Sequence, residues 1–148
     1  MEAHEPTAEK ETLGLLDAAP GSRPADILTS AVSPGLVSAL DIGVAAVESQ
    51  QAGEDCTEAM RRRKRATYAK HLPALEAEGV EYRPLTWSCW GREHPDTTAA
   101  LTALARRAAR RRGLPSHAAL LQRTRAQVGA ALARRLAAML RACLPGDG

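Results

Sequence analysis

The sequence predicts an α/β (α+β) fold: a small mixed β-sheet built from a hairpin and a helical crossover, followed by two basic C-terminal helices. Three observations carry this. Two β-patterned runs flank the turn Ser33-Pro34-Gly35, a helical stretch then leads to a run rich in β-formers, and the last third is Leu, Ala and Arg at helical spacing. The 148 residues suit one modest domain, and with no Phe, two Trp and two Tyr its core must come mainly from Leu, Val, Ile and Ala.

Residues 1–22 are acidic and rich in Ala, Gly and Pro; the first ten read as disordered, and Thr12-Leu13-Gly14-Leu15-Leu16 as a weak strand. The hairpin strands fall at about 25–30 and 37–46. A helix over 54–79 opens on Glu54 and Asp55, is interrupted at Pro73 and ends at Gly79. Residues 80–90 form a strand, and Pro84 argues for an edge position or a local break in pairing. Helices follow at 97–112, ended by Gly113 and Pro115, and at 117–143, capped by Ser116. The organisation is an acidic segment 1–22, a core 23–112 and a basic amphipathic helix within 113–148.

Charge divides unevenly along the chain. Residues 1–60 carry eleven acids against Lys10 and Arg23, a net of −9, whereas 61–148 carry eighteen Lys/Arg against six acids, a net of +12. The basic half suggests a polyanionic partner, DNA, unless its arginines form a solvated helix surface. Cys56, Cys89 and Cys143 are odd in number and widely spaced, and no signal or membrane-spanning run accompanies them, so free thiols in an intracellular, nuclear setting are expected. Cys89 and His94 make only half of a zinc-like spacing, so structural zinc is not expected.

The chemistry-bearing residues begin with two aspartates. If the hairpin pairs residues whose numbers sum to 67, Asp26 faces Asp41 on one side of the sheet, and opposed carboxylates call for a cation between them. In the second strand Leu40, Ile42 and Val44 share a face expected in the core. Ala39, Asp41, Gly43 and Ala45 share the other, leaving the Asp41 carboxylate in open space. Within Arg61-Arg62-Arg63-Lys64-Arg65, helical phase singles out the lysine. With Cys56 at zero, Thr67, Met60, His71, Lys64 and Tyr68 fall at about 20°, 40°, 60°, 80° and 120°, placing Lys64 inward while Arg62, Arg63 and Arg65 project away. Asp26 and Asp41 as oxygen ligands to Mg²⁺ or Mn²⁺, with Lys64 as a cation against developing phosphate charge, would suit phosphodiester hydrolysis; a plain Lys64 salt bridge is the competing reading.

Arg23-Pro24-Ala25-Asp26-Ile27, then Leu40-Asp41-Ile42-Gly43-Val44, then Arg63-Lys64 with Tyr68 four residues on, resembles the restriction-enzyme-like (PD-(D/E)xK) endonuclease domain of site-specific non-LTR retrotransposons. The resemblance covers about residues 23–90, with Ala25 inserted between Pro24 and Asp26. It implies a metal-dependent DNA endonuclease with Asp26 and Asp41 as metal ligands, Lys64 as the lysine migrated from its usual strand position to the next helix, and Tyr68 beside it. It also implies the reverse transcriptase portion of a parent element as a partner. Glu9 and Glu11 are the candidates for a further acid.

Nucleic-acid contacts are expected from Arg61, Arg62, Trp90, Arg92, Arg106, Arg107, Arg110 and Arg111, with Trp87 turned into the core. Two other functions remain open at this level: a catalytically decayed nucleic-acid-binding remnant, and a helical protein-interaction module using the stripe along 117–143.

Overall fold

A computed structural model describes residues 9–10, 25–46 and 55–143. Its elements are β1 (Glu9–Lys10), β2 (Ile27–Thr29), β3 (Val37–Ala45), α1 (Cys56–Tyr68), α2 (Leu72–Ala77), β4 (Val80–Ser88), α3 (Pro95–Arg111) and α4 (Ala118–Cys143). The sheet order is β1-β2-β3-β4. It is a mixed sheet with helices, the expected α/β (α+β) class. The run 12–16, Glu11, Arg23 and Pro24 lie outside the described residues.

The hairpin has the expected register, Ile27↔Leu40, Leu28↔Ala39 and Thr29↔Ser38, each pair summing to 67. Gly35 takes φ 73° at its turn. Ser33 and Ser38 donate to the Glu81 carboxylate at 2.7 and 3.2 Å, tying the hairpin to β4. Residues 9–10, expected within a disordered stretch, instead pair antiparallel with β2 through Glu9↔Leu28 and Lys10↔Ile27. An open strand edge offers backbone partners whatever the side chains of the added segment.

β3 and β4 run parallel, from Val37↔Val80 to Ala45↔Ser88, and α1 and α2 make the crossover between them. Asp55 caps α1, accepting from the Thr57 and Glu58 amides at 2.8 and 3.4 Å. Pro73 splits the predicted helix and stands in the first turn of α2, where its missing N–H costs nothing.

β4 is an edge strand, as Pro84 predicts, and from Pro84 onward its outward amide positions are covered. Pro84 has no N–H to satisfy; the Thr86 amide donates to the Thr97 hydroxyl at 2.8 Å and the Ser88 amide to the Arg92 carbonyl at 2.8 Å. Thr97 also donates to the Thr86 carbonyl at 3.2 Å, so one buried hydroxyl of α3 closes both groups of a strand residue.

Apolar residues pack on both faces of the sheet. On one, Ala39, Val80 and Tyr82 meet Ala25 and Leu75, with Tyr68 and Leu72 against them; on the other, Leu40, Leu85 and Trp87 meet Ala100 and Leu101 of α3 and Leu121, Val128 and Leu132 of α4. α4 therefore joins the core along its N-terminal half. Two expectations change here. Ile42 and Val44 share a face with Leu40 yet are 43% and 42% exposed, because the α3 and α4 side chains that bury Leu40 do not extend over them. Asp41 does not stand in open space: its face lies under α1, and it is 7% exposed.

Thr97→Val keeps the shape of the side chain and orphans the buried Thr86 amide, so it should cost about 1–3 kcal/mol of stability, read by urea denaturation. An unchanged midpoint would show that the edge needs no such cover.

Candidate functional site

Asp41 sits in the middle of β3, with Pro84 beside it on β4. Its Oδ1 accepts from Lys64 Nζ at 2.6 Å and its Oδ2 from the Tyr82 hydroxyl at 2.5 Å. The partners come from 23 and 41 residues further along the chain, which is why none is visible around Asp41 in the sequence. Tyr82 pairs with Ala39, two residues before Asp41 on the same face, so the parallel register brings its hydroxyl to the carboxylate.

Lys64 reaches Asp41 by crossing Gly43. A Cβ at that glycine would lie 2.5 Å from Lys64 Cε and 3.3 Å from Lys64 Cδ. The helical phase that points Lys64 inward and the bare backbone at Gly43 act together. Arg62 and Arg63 of the same run are exposed, but Arg65, expected to project away, is half-buried beside Leu72 and Tyr82.

Asp26 lies at the start of β2, where the ladder departs from the regular pairing that would set it squarely against Asp41. Its amide donates to the Leu40 carbonyl at 2.8 Å, although Leu40 is the register partner of Ile27, so two residues oppose one as in a β-bulge. The Asp26 carboxylate accepts from the Ile42 amide at 2.7 Å, one residue beyond Asp41. Ala25, the inserted residue, is buried in the cluster with Ala39 and Tyr82.

Tyr68 packs against Tyr82, with ring centroids 5.3 Å apart and planes at 60°. Burial, then the negative charge of Asp41, then that of Asp26 hold the Tyr68 phenol above its ordinary value. Both carboxylates therefore bear on one hydroxyl. The Tyr82 phenol is pushed up strongly, first by burial and then by its hydrogen bond to Asp41. The structure thus brings Asp26, Asp41, Lys64 and Tyr68 to the same part of the sheet, beneath α1. It adds Tyr82, which sequence reasoning missed because only the β3–β4 register reveals it.

Metal-ligating side chains are few. Among the described residues no three His, Cys, Asp or Glu gather as a metal-holding group. Glu9 is described only as a strand position. Asp26 and Asp41 are two carboxylates, and two is the number of protein oxygens Mg²⁺ commonly takes when water and phosphate complete its shell. His94 is not available to Cys89 or to zinc: its Nδ1 accepts from the Asp96 amide at 3.1 Å as the cap of α3, and its Nε2 lies 2.7 Å from Glu58.

The arginines expected at nucleic acid divide into two groups. Arg92 grips Asp55 through two bonds of 2.7 and 2.8 Å, holding that carboxyl well below its usual range with help from the Thr57 hydroxyl. Arg61 bonds Asp96 at 2.7 Å, and Arg107 donates to the Ser30 carbonyl at 3.0 Å. Arg62, Arg106, Arg110 and Arg111 are exposed. Trp90 is 74% exposed while Trp87 is core, but Trp90 lies past the end of β4 on the turn after Ser88, so the turn and not strand alternation sets its direction. No protein-family model, curated protein or solved structure matches this chain.

A double-mutant cycle on Gly43→Ala and Lys64→Met should show a coupling of about 0.5–3 kcal/mol, because the methyl group already displaces the lysine that the second change removes; simple additivity would separate the two residues. Tyr82 makes a prediction in pH. Its folded value lies above the ordinary 10.0, so its contribution is fully present below pH 10 and is lost as pH rises beyond it, when the unfolded phenol ionises first. Stability followed through alkaline pH should fall less steeply in Tyr82→Phe, and a matching slope would deny the shift.

Proposed function

We propose that this chain is a divalent-metal-dependent DNA endonuclease module of retroelement origin, hydrolysing phosphodiester bonds around Asp26, Asp41 and Lys64. The observation that carries the proposal is the 2.6 Å contact from Lys64 across Gly43 to Asp41, with the Asp26 carboxylate on the amide of the next residue, Ile42. A lysine carried on the crossover helix, with a glycine at the strand position it would otherwise occupy, is the arrangement the retrotransposon endonuclease resemblance implies.

The donor set suits Mg²⁺ or Mn²⁺, since ionised carboxylates are hard oxygen ligands and two suffice. Asp26 and Asp41 would hold the ion, which would supply Lewis-acid polarisation of a phosphoryl oxygen. The chain's own groups do the rest. Lys64 places a positive charge where negative charge develops on the phosphate. Tyr82, donating to Asp41 Oδ2, fixes the rotation of that carboxylate. Tyr68 packs against the Tyr82 ring and so supports the phenol that holds Asp41. The exposed Arg106 and Arg110 would contact backbone phosphates without base specificity, with Arg62 and Arg111 as further surface cations. The reverse transcriptase part of a parent element is the proposed partner and the nucleus the proposed location. No helix among the described residues is long and apolar enough to cross a membrane.

One observation favours a second reading, binding without cleavage: both Asp41 oxygens are already engaged by protein, and the described acids at the site are two. Nicking of supercoiled plasmid separates the two readings. With Mg²⁺ or Mn²⁺ the full chain should nick, chelation should stop it, and Asp41→Ala should reduce it to background. Lys64→Met should slow it by about 10²–10³-fold. Nicking that survives Asp41→Ala would place the chemistry elsewhere, and metal-indifferent DNA binding without nicking would leave the binding function alone.

A further inference from the structure

We propose that the apolar groove between the ends of β3 and β4 and the C-terminal half of α4 is a docking site for an acidic amphipathic helix of a partner protein. This inference is independent of the nuclease reading. The groove encloses about 580 Å³ and is lined by Val44, Trp90, Leu132, Leu136, Met139 and Leu140, with Arg135 at its side. Trp90, Met139 and Leu140 are 74%, 56% and 59% exposed, and Ile42 extends the patch at 43%. A contiguous surface of this kind marks an interaction site more often than scattered exposed apolar residues do.

The groove is built rather than incidental. Trp90 stands on a tight turn in which the Gly91 amide donates to the Ser88 carbonyl at 2.9 Å, with Gly91 at φ 88°. The Cys89 amide is bonded to the Ala45 carbonyl at 3.0 Å and the Ser88 amide to the Arg92 carbonyl at 2.8 Å, so the indole is presented from a fixed backbone. Opposite it, Leu132, Leu136 and Leu140 recur every four residues, one ridge along α4. A ridge facing a rigid aromatic makes a trough of the kind that takes the apolar stripe of a helix.

Charge selects the occupant. Residues 118–143 contain Arg123, Arg125, Arg134, Arg135 and Arg141 and no Asp or Glu. Arg125 is held by Glu93 at 2.9 Å, whereas Arg134, Arg135 and Arg141 belong to the half of α4 that forms the groove. A second copy would set this helix against itself, arginine facing arginine. A DNA duplex would satisfy the arginines but leave the Trp90–Leu136–Met139 surface uncovered. A helix with acids flanking a leucine stripe satisfies both, and Trp and Arg are the residues that most often dominate such contacts.

The test follows the indole N–H resonance of Trp90 in the full chain, assigned by its loss in Trp90→Phe. The probe is a synthetic helix of about 21 residues, six turns, with leucine at heptad positions a and d and glutamate at e and g. Its lysine counterpart is the control. A saturable shift is expected with the acidic helix and binding about tenfold or more weaker with the lysine helix. Met139→Glu, a surface change, should weaken the acidic helix at least tenfold, and Arg135→Glu should narrow the preference between the two. The proposal fails if the acidic helix gives no saturable shift, or if both helices bind alike. It also fails if only a short DNA duplex or phosphatidylserine vesicles move Trp90, or if the chain self-associates through this face and Met139→Glu dissolves the dimer.

Discussion

A carboxylate in the middle of a covered sheet constrains nearly everything around it. Asp41 lies beneath α1 at 7% exposure, and a buried charge without partners costs on the order of 3–5 kcal/mol. Its two oxygens are met from two elements, Lys64 on the crossover helix and Tyr82 on the parallel strand. Each partner brings its own requirement. Lys64 needs the bare backbone of Gly43, and Tyr82 needs the register that sets it against Ala39. A slip of one residue between β3 and β4 would turn Tyr82 to the other face.

The placement of α1 depends on ion pairs, three of which join an acidic residue of the first sixty to a basic residue or histidine further on. Asp55 with Arg92, Glu58 with His94 and Asp41 with Lys64 fasten this helix to the sheet and to the loop before α3. Exposed pairs such as Asp55–Arg92 contribute little energy on their own, but they fix the rotation of α1 and so the direction of Lys64. They also change the meaning of the charge asymmetry. Part of the contrast between −9 and +12 is neutralised by these pairs, and α1, α3 and α4 also present arginines at the surface.

The two faces of the sheet end in different chemistry. Under α1 the face becomes polar, with two carboxylates, a lysine and two phenols in one cluster. On the other face Ile42 and Val44 continue an apolar surface past the point where α3 and the first half of α4 bury it. Strand alternation keeps these surfaces apart, since Asp41 and Gly43 point one way and Ile42 and Val44 the other.

Local sequence patterns were sufficient for the hairpin, the crossover, β4 and the last two helices, though not for β1. The turn at Ser33-Pro34-Gly35 set the hairpin register, Pro73 and Pro84 marked a helix break and an edge strand, and helical phase separated Lys64 from its arginine neighbours. These signals are legible because turn geometry, proline's missing donor and helical periodicity act within a few residues. What the chain could not disclose by itself depended on segments far apart in sequence. Only the parallel pairing of β3 with β4 brought Tyr82 to Asp41, and only the bulge at Asp26 turned its carboxylate to the Ile42 amide. The core face of β3 was also undetermined locally, since alternation separates two faces but does not say which a helix will cover. Packing of α1 over Asp41 decided that, and the charge it buried required the partners that now define the site.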